Sequence, residues 1–464
     1  MKLSRCELRS RTYSIPQLRF EDQVLTSFSG LILFQQLFRA IGLNDRLAEC
    51  VRHVKSSSSY GLRTILLLLV VHILAGWHRL RDLDYYRDDP LVRRVLGLRR
   101  LPNVSTVTRA LRNMDEGVVE NLRNLKTSLV LERLLRCGTN RVTLDFDGSV
   151  LSTKSRTTEG TAIGYNRNAK GQRSYYPLFC TVAQSSQVLD VLHRPGNVHD
   201  SKGGLSFVQS CFGLVRESGF HGFLEARLDS AHFSDKVCFW LDAEEIEFTI
   251  SVPFERFPEL KESVERCRRW KRINKEWSYV PSDWLPKSWR KDKRSQSLRI
   301  IVYRHRVKTP RKGPIQLNMF APVSHHYEYR AIVTNKEGGA ASILEFHNGR
   351  GMQEGIFAEM KSQDHMDYVP TRRLVGNQIF LLSAVLAHNL NREMQMALEP
   401  PQARNAINRA CLWIFEAIGT FRKRLIQRAG RLTRPNGLLT LTVAGNKETE
   451  LEFNRYLKAL SRAA

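Results

Sequence analysis

The sequence predicts an α/β layer protein with a mixed sheet, and three observations lead there. From Phe28 to about Leu134 apolar residues recur at helical spacing. From Arg141 to Val252 the order of runs is strand, strand, strand, helix, strand, helix, strand, the pattern of helices packed on a sheet. The chain has 464 residues, 42% of them hydrophobic, enough for roughly two to four domains and a large core.

Residues 1 to about 20 are polar and mixed, and read as an extended arm. Leu31, Leu33, Phe34, Leu37, Phe38 and Ile41 mark a helix that Gly42 stops. A serine run at 56–59 leads to a strongly apolar helix at 62–76. A membrane span needs about 20 residues, so this helix is expected to be buried. In Leu101–Arg112 a Pro-Asn turn is followed by small polar residues and Arg109, an arrangement like the second helix of a helix-turn-helix. Any capped surface helix has the same look.

Val142–Val150 reads as a buried strand ending at a turn. Tyr175–Ala183 and Gln187–Leu192 follow as a hairpin. A helix at 201–218, the strand Phe223–Ser230, a helix at 234–244 and the strand Glu247–Val252 complete the layer. Residues 255 to about 325 break this rhythm and read as a β-rich insertion, with strands at Ser297–Val307 and His326–Thr334. Between Lys261 and Arg294 there are twelve Lys/Arg against five Asp/Glu, together with Trp270, Trp277, Trp284 and Trp289. Basic side chains interleaved with tryptophans suit a surface that follows phosphates and stacks on bases; alternatively the tryptophans pack the insertion's own core, as at least two are expected to do. The α/β rhythm resumes at Gly349 with a helix, then a long apolar helix, Leu374–Met396. An arginine-dense stretch (Arg422–Arg434), a strand (Leu438–Val443) and a last helix (Glu450–Ala463) close the chain.

The net charge of +26 and the pI near 10.0 arise from Lys and Arg spread along the chain. An extended basic footprint points to nucleic acid. A basic peripheral membrane protein is the competing account, without a lipidation motif to support it. The eight cysteines are scattered, with no C-x-x-C pair, so a structural zinc site is not expected and the thiols fit a reducing compartment.

Phosphodiester chemistry at an acidic site uses carboxylates that hold two divalent ions, Mg²⁺ or Mn²⁺. Asp147 and Asp229 each stand at a strand end, and Glu354 stands on a helix where Arg350, Glu354 and Lys361 share one stripe. Separations of 82 and 125 positions mean that only tertiary folding brings the three together. Each has a bland alternative: Asp147 before Gly148-Ser149 as a turn residue, Asp229 as a helix N-cap, the stripe as a solvated ion-paired face. Asp145 shares Asp147's face by alternation and is an alternative first ligand.

On these residues the chain resembles bacterial insertion-sequence transposases of the DDE class, in the branch with the Y(2)R(3)E(6)K signature. The signature reads His347, Arg350, Glu354, Lys361 here, with the spacings intact and histidine in place of tyrosine. Asp147-Gly148-Ser149 and Arg227-Leu228-Asp229-Ser230 resemble the motifs around the two aspartates. Gly164-Tyr165-Asn166, Tyr175-Tyr176-Pro177 and Arg194-Pro195-Gly196-Asn197 are also familiar, and the likeness spans about residues 100–440.

The resemblance implies an RNase H-like core interrupted by a β-rich insertion and preceded by an all-helical DNA-binding region. The implied divisions are 1–135, 136–254, 255–335, 336–400 and a basic region at 401–464. The implied enzyme binds terminal inverted repeats, cuts at the ends and joins the 3′-OH to target DNA. Asp147, Asp229 and Glu354 would be catalytic residues and metal ligands. Arg350, Lys361 and His347 would contact phosphates, and one of the four insertion tryptophans would stack on a flipped base. Double-stranded DNA and a second copy of the chain are the implied partners, without a membrane, in the bacterial cytoplasm at the nucleoid. A metal-dependent nuclease without strand transfer and a catalytically inactive DNA-binding regulator are the alternatives.

Overall fold

The computed structural model describes residues 15–55, 60–164, 166, 169–198, 201–306, 327–402 and 406–463. Most of the predicted arm and the serine run lie outside them, as do Tyr165 and the stretch 307–326 between two predicted strands.

After a short strand β1 (Leu25–Thr26) come helices α1 (Leu31–Ala40), α2 (Leu43–Cys50), α3 (Leu62–Leu74), α4 (Pro90–Val95), α5 (Val104–Asn113) and α6 (Glu116–Arg136). The helix α3 is apolar all round and buried on nearly every side, as such a sequence requires. Its buried His72 shares a 2.7 Å hydrogen bond with the Tyr86 hydroxyl, and burial lowers the imidazole pKa to about 3. The end of α3 is closed from far along the chain, where Arg422 Nε donates to the Leu74 carbonyl at 2.9 Å. Arg422, the first residue of the arginine-dense tail, is therefore a buried helix cap. Among the described residues no helix is long and apolar enough to cross a membrane.

The main sheet begins with β2 (Arg141–Gly148). A small side sheet follows: β3 (Leu151–Ser152), β4 (Ala162–Ile163) and β5 (Arg173–Tyr175). The main sheet continues with β6 (Leu178–Val182), β7 (Gln187–Leu192), β8 (Phe223–Leu228) and β9 (Glu247–Val252). The single strand expected over Tyr175–Ala183 is thus two strands, broken at Tyr176-Pro177, because proline has no N–H for a ladder. Helices α7 (Ser201–Glu217) and α8 (Asp235–Ala243) connect the later strands. The insertion contributes α9 (Pro258–Arg266), β10 (Lys271–Arg272), β11 (Trp277–Ser282), β12 (Arg299–Arg306) and β13 (Tyr327–Thr334). Its strands form no separate layer. They extend one nine-stranded sheet in the order β10-β11-β12-β13-β9-β8-β2-β6-β7. Strands β2, β8 and β9 run parallel; their neighbours on either side are antiparallel.

The two faces of this sheet differ. Leu144, Phe146, Leu189, Phe248 and Ile250 pack with Val208 and Phe212 of α7 and Leu241 of α8 in one apolar core. The other face carries buried polar residues: Thr143, Asp145, Glu225, Arg227 and Thr249. Helices α10 (Ala340–Asn348) and α11 (Gly351–Gln363) meet this polar face, and α12 (Leu374–Met396) covers its edge. Helix α10 was not foreseen, since the rhythm was expected to resume only at Gly349. Strand β14 (Gly430–Thr433) pairs with β1 on one side and with β15 (Thr440–Val443) on the other, and α13 (Lys447–Ala463) adds Tyr456 and Leu460 to the core of the N-terminal helices. The two ends of the chain are knit together, and the N-terminal region is not purely helical.

Strand β7 is an edge, and an unpaired edge invites wrong pairing. Asn389 of α12 closes it: its Oδ1 accepts from Val188 N–H and its Nδ2 donates to Val188 C=O, both at 2.9 Å. Lys126 and Thr127 of α6 donate to the next carbonyl, Leu189, at 2.6 and 2.9 Å. Asn389→Leu leaves a buried N–H and C=O unmade, each costing about 1–3 kcal/mol. Urea unfolding should show a loss of about 2–4 kcal/mol; an unchanged midpoint would mean the edge needs no side-chain partner.

Candidate active site

Asp147 and Asp229 end adjacent parallel strands, β2 and β8, at the same edge of the sheet. Gly148 packs closely against Tyr176: a Cβ there would lie 2.4 Å from the ring and force it to shift. Ser149 N–H then donates to the Pro177 carbonyl at 3.1 Å. The Asp-Gly-Ser turn is thereby seated, with Asp147 at its head. Asp229 caps the turn after β8: its Oδ1 accepts from Ala231 N–H at 3.1 Å and meets His232 Nδ1 at 2.9 Å. Its Oδ2 has no hydrogen bond among the described residues.

Burial, reinforced by the charge of Asp229 and opposed by Arg350, pushes the Asp147 carboxyl up to about 6. Burial also raises Asp229, but the His232 hydrogen bond and charge outweigh it, and the net direction is down. One carboxylate thus stays ionised while its neighbour holds a proton more readily. Arg350 answers this charge, its Nη1 lying 3.0 Å from Asp147 Oδ2. It is the cap of α11, and Glu354 is exposed one turn further along that helix. Gln353, fully buried, donates from Nε2 to the Asp145 carbonyl at 3.0 Å and so pins α11 to β2.

Asp145 is not placed to act as a ligand. Both its oxygens are engaged by Arg227, at 2.5 and 2.7 Å, deep on the polar face. His347 does not stand at a helix entrance facing a phosphate. It lies in the last turn of α10, buried, with Nδ1 3.0 Å from Thr249 Oγ1 and Nε2 2.8 Å from Ser251 Oγ. Burial first, and Arg350 next, hold its pKa well below the usual range, so it packs α10 onto β9 as a neutral ring. Lys361 is two turns beyond Glu354 and half-buried, its pKa lowered by burial. Arg109 is exposed on α5, away from the buried Val107, Ala110 and Leu111.

The tryptophans divide. Trp284 and Trp289 are buried against the α8–α9 side of the sheet. Trp270 lies beneath the Arg304 guanidinium, 4.6 Å from the ring centre. Only Trp277 of the four lines a cavity of about 590 Å³ beside the start of α11, with Asn274, Leu344, Asn348, Gly349 and Met352.

Sequence reasoning missed His232, Tyr176 and Arg330. His232 follows Asp229 by three residues, a spacing that could have suggested it. Tyr176 sat in a recognised motif without a role. Arg330 on β13 donates to Asn348 Oδ1 at 2.6 Å and lies near both Arg350 and Glu354; nothing local marks it.

Among the described residues no three His, Cys, Asp or Glu side chains form a group that would hold a metal ion. The Asp147–Asp229 pair supplies two hard oxygen donors whose mutual repulsion a cation would relieve. Glu354 is exposed on the adjoining helix. The donor chemistry of the Asp147–Asp229 pair fits a divalent cation.

Fold and site together define a mixed α/β protein with an acidic centre at the carboxyl ends of its central parallel strands. The sequence matches the family described as transposase DDE domain group 1 over residues 12–464, and the chain belongs to that family. A comparison with curated proteins returns no match. Among solved structures, a piggyBac transposase synaptic complex with hairpin DNA is similar at 12% identity, covering 79% of this chain and 74% of that one, with a TM-score of 0.43. A Mos1 transposase paired-end complex with the left transposon end is similar at 15% identity over 42% of this chain and 60% of that one, with a TM-score of 0.18.

The raised pKa of Asp147 has a definite sign. Its contribution to stability is complete below the unfolded carboxyl value near 4 and is lost as pH rises through about 6. Asp147→Asn cannot ionise and escapes that loss. Without divalent cations the variant should equal the wild type near pH 4 and exceed it by about 1–3 kcal/mol at pH 8. Urea melts at both pH values test this, and a variant less stable at pH 8 contradicts it.

Proposed function

We propose that this transposase cuts DNA at the ends of its own element and joins the freed 3′-OH to target DNA, on an RNase H-like core. The observation that carries the reading is the convergence of Asp147 and Asp229 on neighbouring parallel strands, with the Asp147 carboxyl pushed up by burial and, to a lesser extent, by the charge of Asp229. Asp147, Asp229 and Glu354 would hold Mg²⁺ or Mn²⁺. Two such ions, when bound, supply an activated attacking oxygen and charge neutralisation at the leaving oxygen.

The remaining work falls to the chain itself. His232 fixes the orientation of Asp229, so Oδ2 stays directed away from the turn. Arg350 neutralises Asp147 in the cation-free state. Its planar fork also suits a phosphate beside the scissile bond, with Lys361 further along the same helix. Trp277 is the insertion tryptophan placed to receive an unstacked base, because its cavity opens beside α11 and base stacking on an aromatic ring is worth about 1–3 kcal/mol. The exposed Arg109 of α5 is assigned to DNA contact in the N-terminal region. Two copies act together, since two ends must be held for joining. The source is a bacterial insertion sequence of the Y(2)R(3)E(6)K branch, with His347 a structural substitution at its first position.

Asp229→Asn should lower Mg²⁺-dependent cleavage of the DNA flanking the gene by on the order of a hundredfold or more, while duplex binding persists. Unchanged cleavage removes the triad assignment. A supercoiled plasmid target separates the enzyme from a plain nuclease, because only strand transfer yields joined product. Trp277→Ala should slow cleavage by about tenfold at unchanged Tm, whereas Trp284→Ala, deep in the core, should lower the Tm. Normal cleavage by the Trp277 variant ends its stacking role.

A further inference from the structure

Arg304 lies on β12, on the sheet face that carries Ile300 and Val302 and away from α11. Its guanidinium lies between two aromatic rings, 4.6 Å from the centre of Trp270 and 4.6 Å from that of Tyr327. Tyr327 is reached diagonally across the ladder, where Arg304 pairs with Tyr329. Tyr329 in turn stacks on Phe254, 6.3 Å between centres and 8° between planes. Trp270 is anchored by its own Nε1, which donates to the Cys267 carbonyl at 3.1 Å.

Three features together mark Arg304. Arg290, Arg294 and Lys261 pair with Glu259, Asp292 and Glu255, whereas Arg304, like several other basic residues of the insertion, has no ion pair among the described residues. Its Nε is enclosed without a hydrogen-bond partner, while the side chain as a whole is only half-buried, so a phosphate would meet the outer guanidinium nitrogens. The two rings also hold the guanidinium plane fixed, which removes the side-chain entropy an arginine normally loses on binding.

The position is informative. Strand β9 ends at Val252, opposite Ala331, and residues 327–330 of β13 overhang beyond it. This is the edge at which β2 and β8 present Asp147 and Asp229. The overhang carries that edge outward along the insertion.

We propose that Arg304, held between Trp270 and Tyr327, is a preformed phosphate clamp for the backbone of duplex DNA running past the active site. The ring faces that would stack on bases are turned inward onto Arg304, so the feature presents a guanidinium edge rather than a stacking platform. Trp270, one of the four tryptophans of which one was expected to stack on a flipped base, acts here by positioning Arg304. The inference rests on the reading of the chain as acting on DNA and adds a contact separate from the acidic centre.

The test is fluorescence anisotropy with a short labelled duplex of arbitrary sequence, in chelator, over a series of salt concentrations. One phosphate contact contributes about 0.9 to the slope of log K against log salt. Arg304→Gln keeps a planar side chain and deletes the charge; its slope should be shallower by about one contact, with an unchanged Tm. Tyr327→Ala should weaken binding, and the double variant should bind no worse than Arg304→Gln alone, because tyrosine acts through arginine. An unchanged slope in Arg304→Gln, or additive losses in the double variant, overturns the clamp while leaving the DNA reading intact. Failure of the wild-type chain to bind duplex overturns both.

Discussion

The contact on which the site depends is the buried pair of Asp145 and Arg227. They face each other across the parallel ladder of β2 and β8. Burial raises the Asp145 pKa even against Arg227, so the pair is not a simple source of stability; removing charges from water costs much of what their attraction returns. Its consequence is positional. The same guanidinium donates from Nη1 to the Phe346 carbonyl at 3.2 Å and to the Asn408 carbonyl at 2.7 Å. It therefore joins two core strands to the α10–α11 turn and to the loop after α12. Gly349 in that turn has no room for a side chain, since a Cβ would meet Arg227 Nη1 at 2.0 Å and Asn408 O at 2.1 Å. Where the turn sits decides where Arg350 and Glu354 stand.

A polar sheet face is costly unless its groups are paired, and here the pairing is extensive. Glu225 is fully buried and meets Arg141, Lys336 and Arg409 at 3.0, 2.7 and 2.7 Å. Burial would raise its pKa, but Arg409, Lys336 and a hydrogen bond from Thr143 outweigh it and bring it down to about 2. Thr249 and Ser251 are occupied by His347. The two acidic groups at the strand ends, Asp147 and Asp229, are met by Arg350 and His232 respectively.

Much of this architecture was legible locally. The strand Glu247–Val252 and the helix Leu374–Met396 fall where periodicity and composition put them, because burial on a sheet or in a bundle imposes its period directly. The all-apolar helix at 62–76 was read as buried for the same reason. Helix α10 was missed, and the strand over Tyr175–Ala183 was read as continuous although proline divides it. Of the insertion's tryptophans two were expected to be core residues; Trp284 and Trp289 are.

The sequence alone determined which residue types were available at strand ends and on one helical stripe: Asp147, Asp229, Arg350 and Glu354. It also determined the basic charge and the order of the elements, since these depend on neighbours along the chain. It left Asp145 standing as an alternative to Asp147, because alternation places both on one face. The tertiary structure removed that alternative, by bringing Arg227 from 82 positions away onto Asp145. It likewise withdrew His347 into the polar face, and placed Trp277 at a cavity beside α11 and Trp270 against Arg304. Those decisions belong to contacts between distant segments, where burial and charge compensation are settled by packing rather than by spacing.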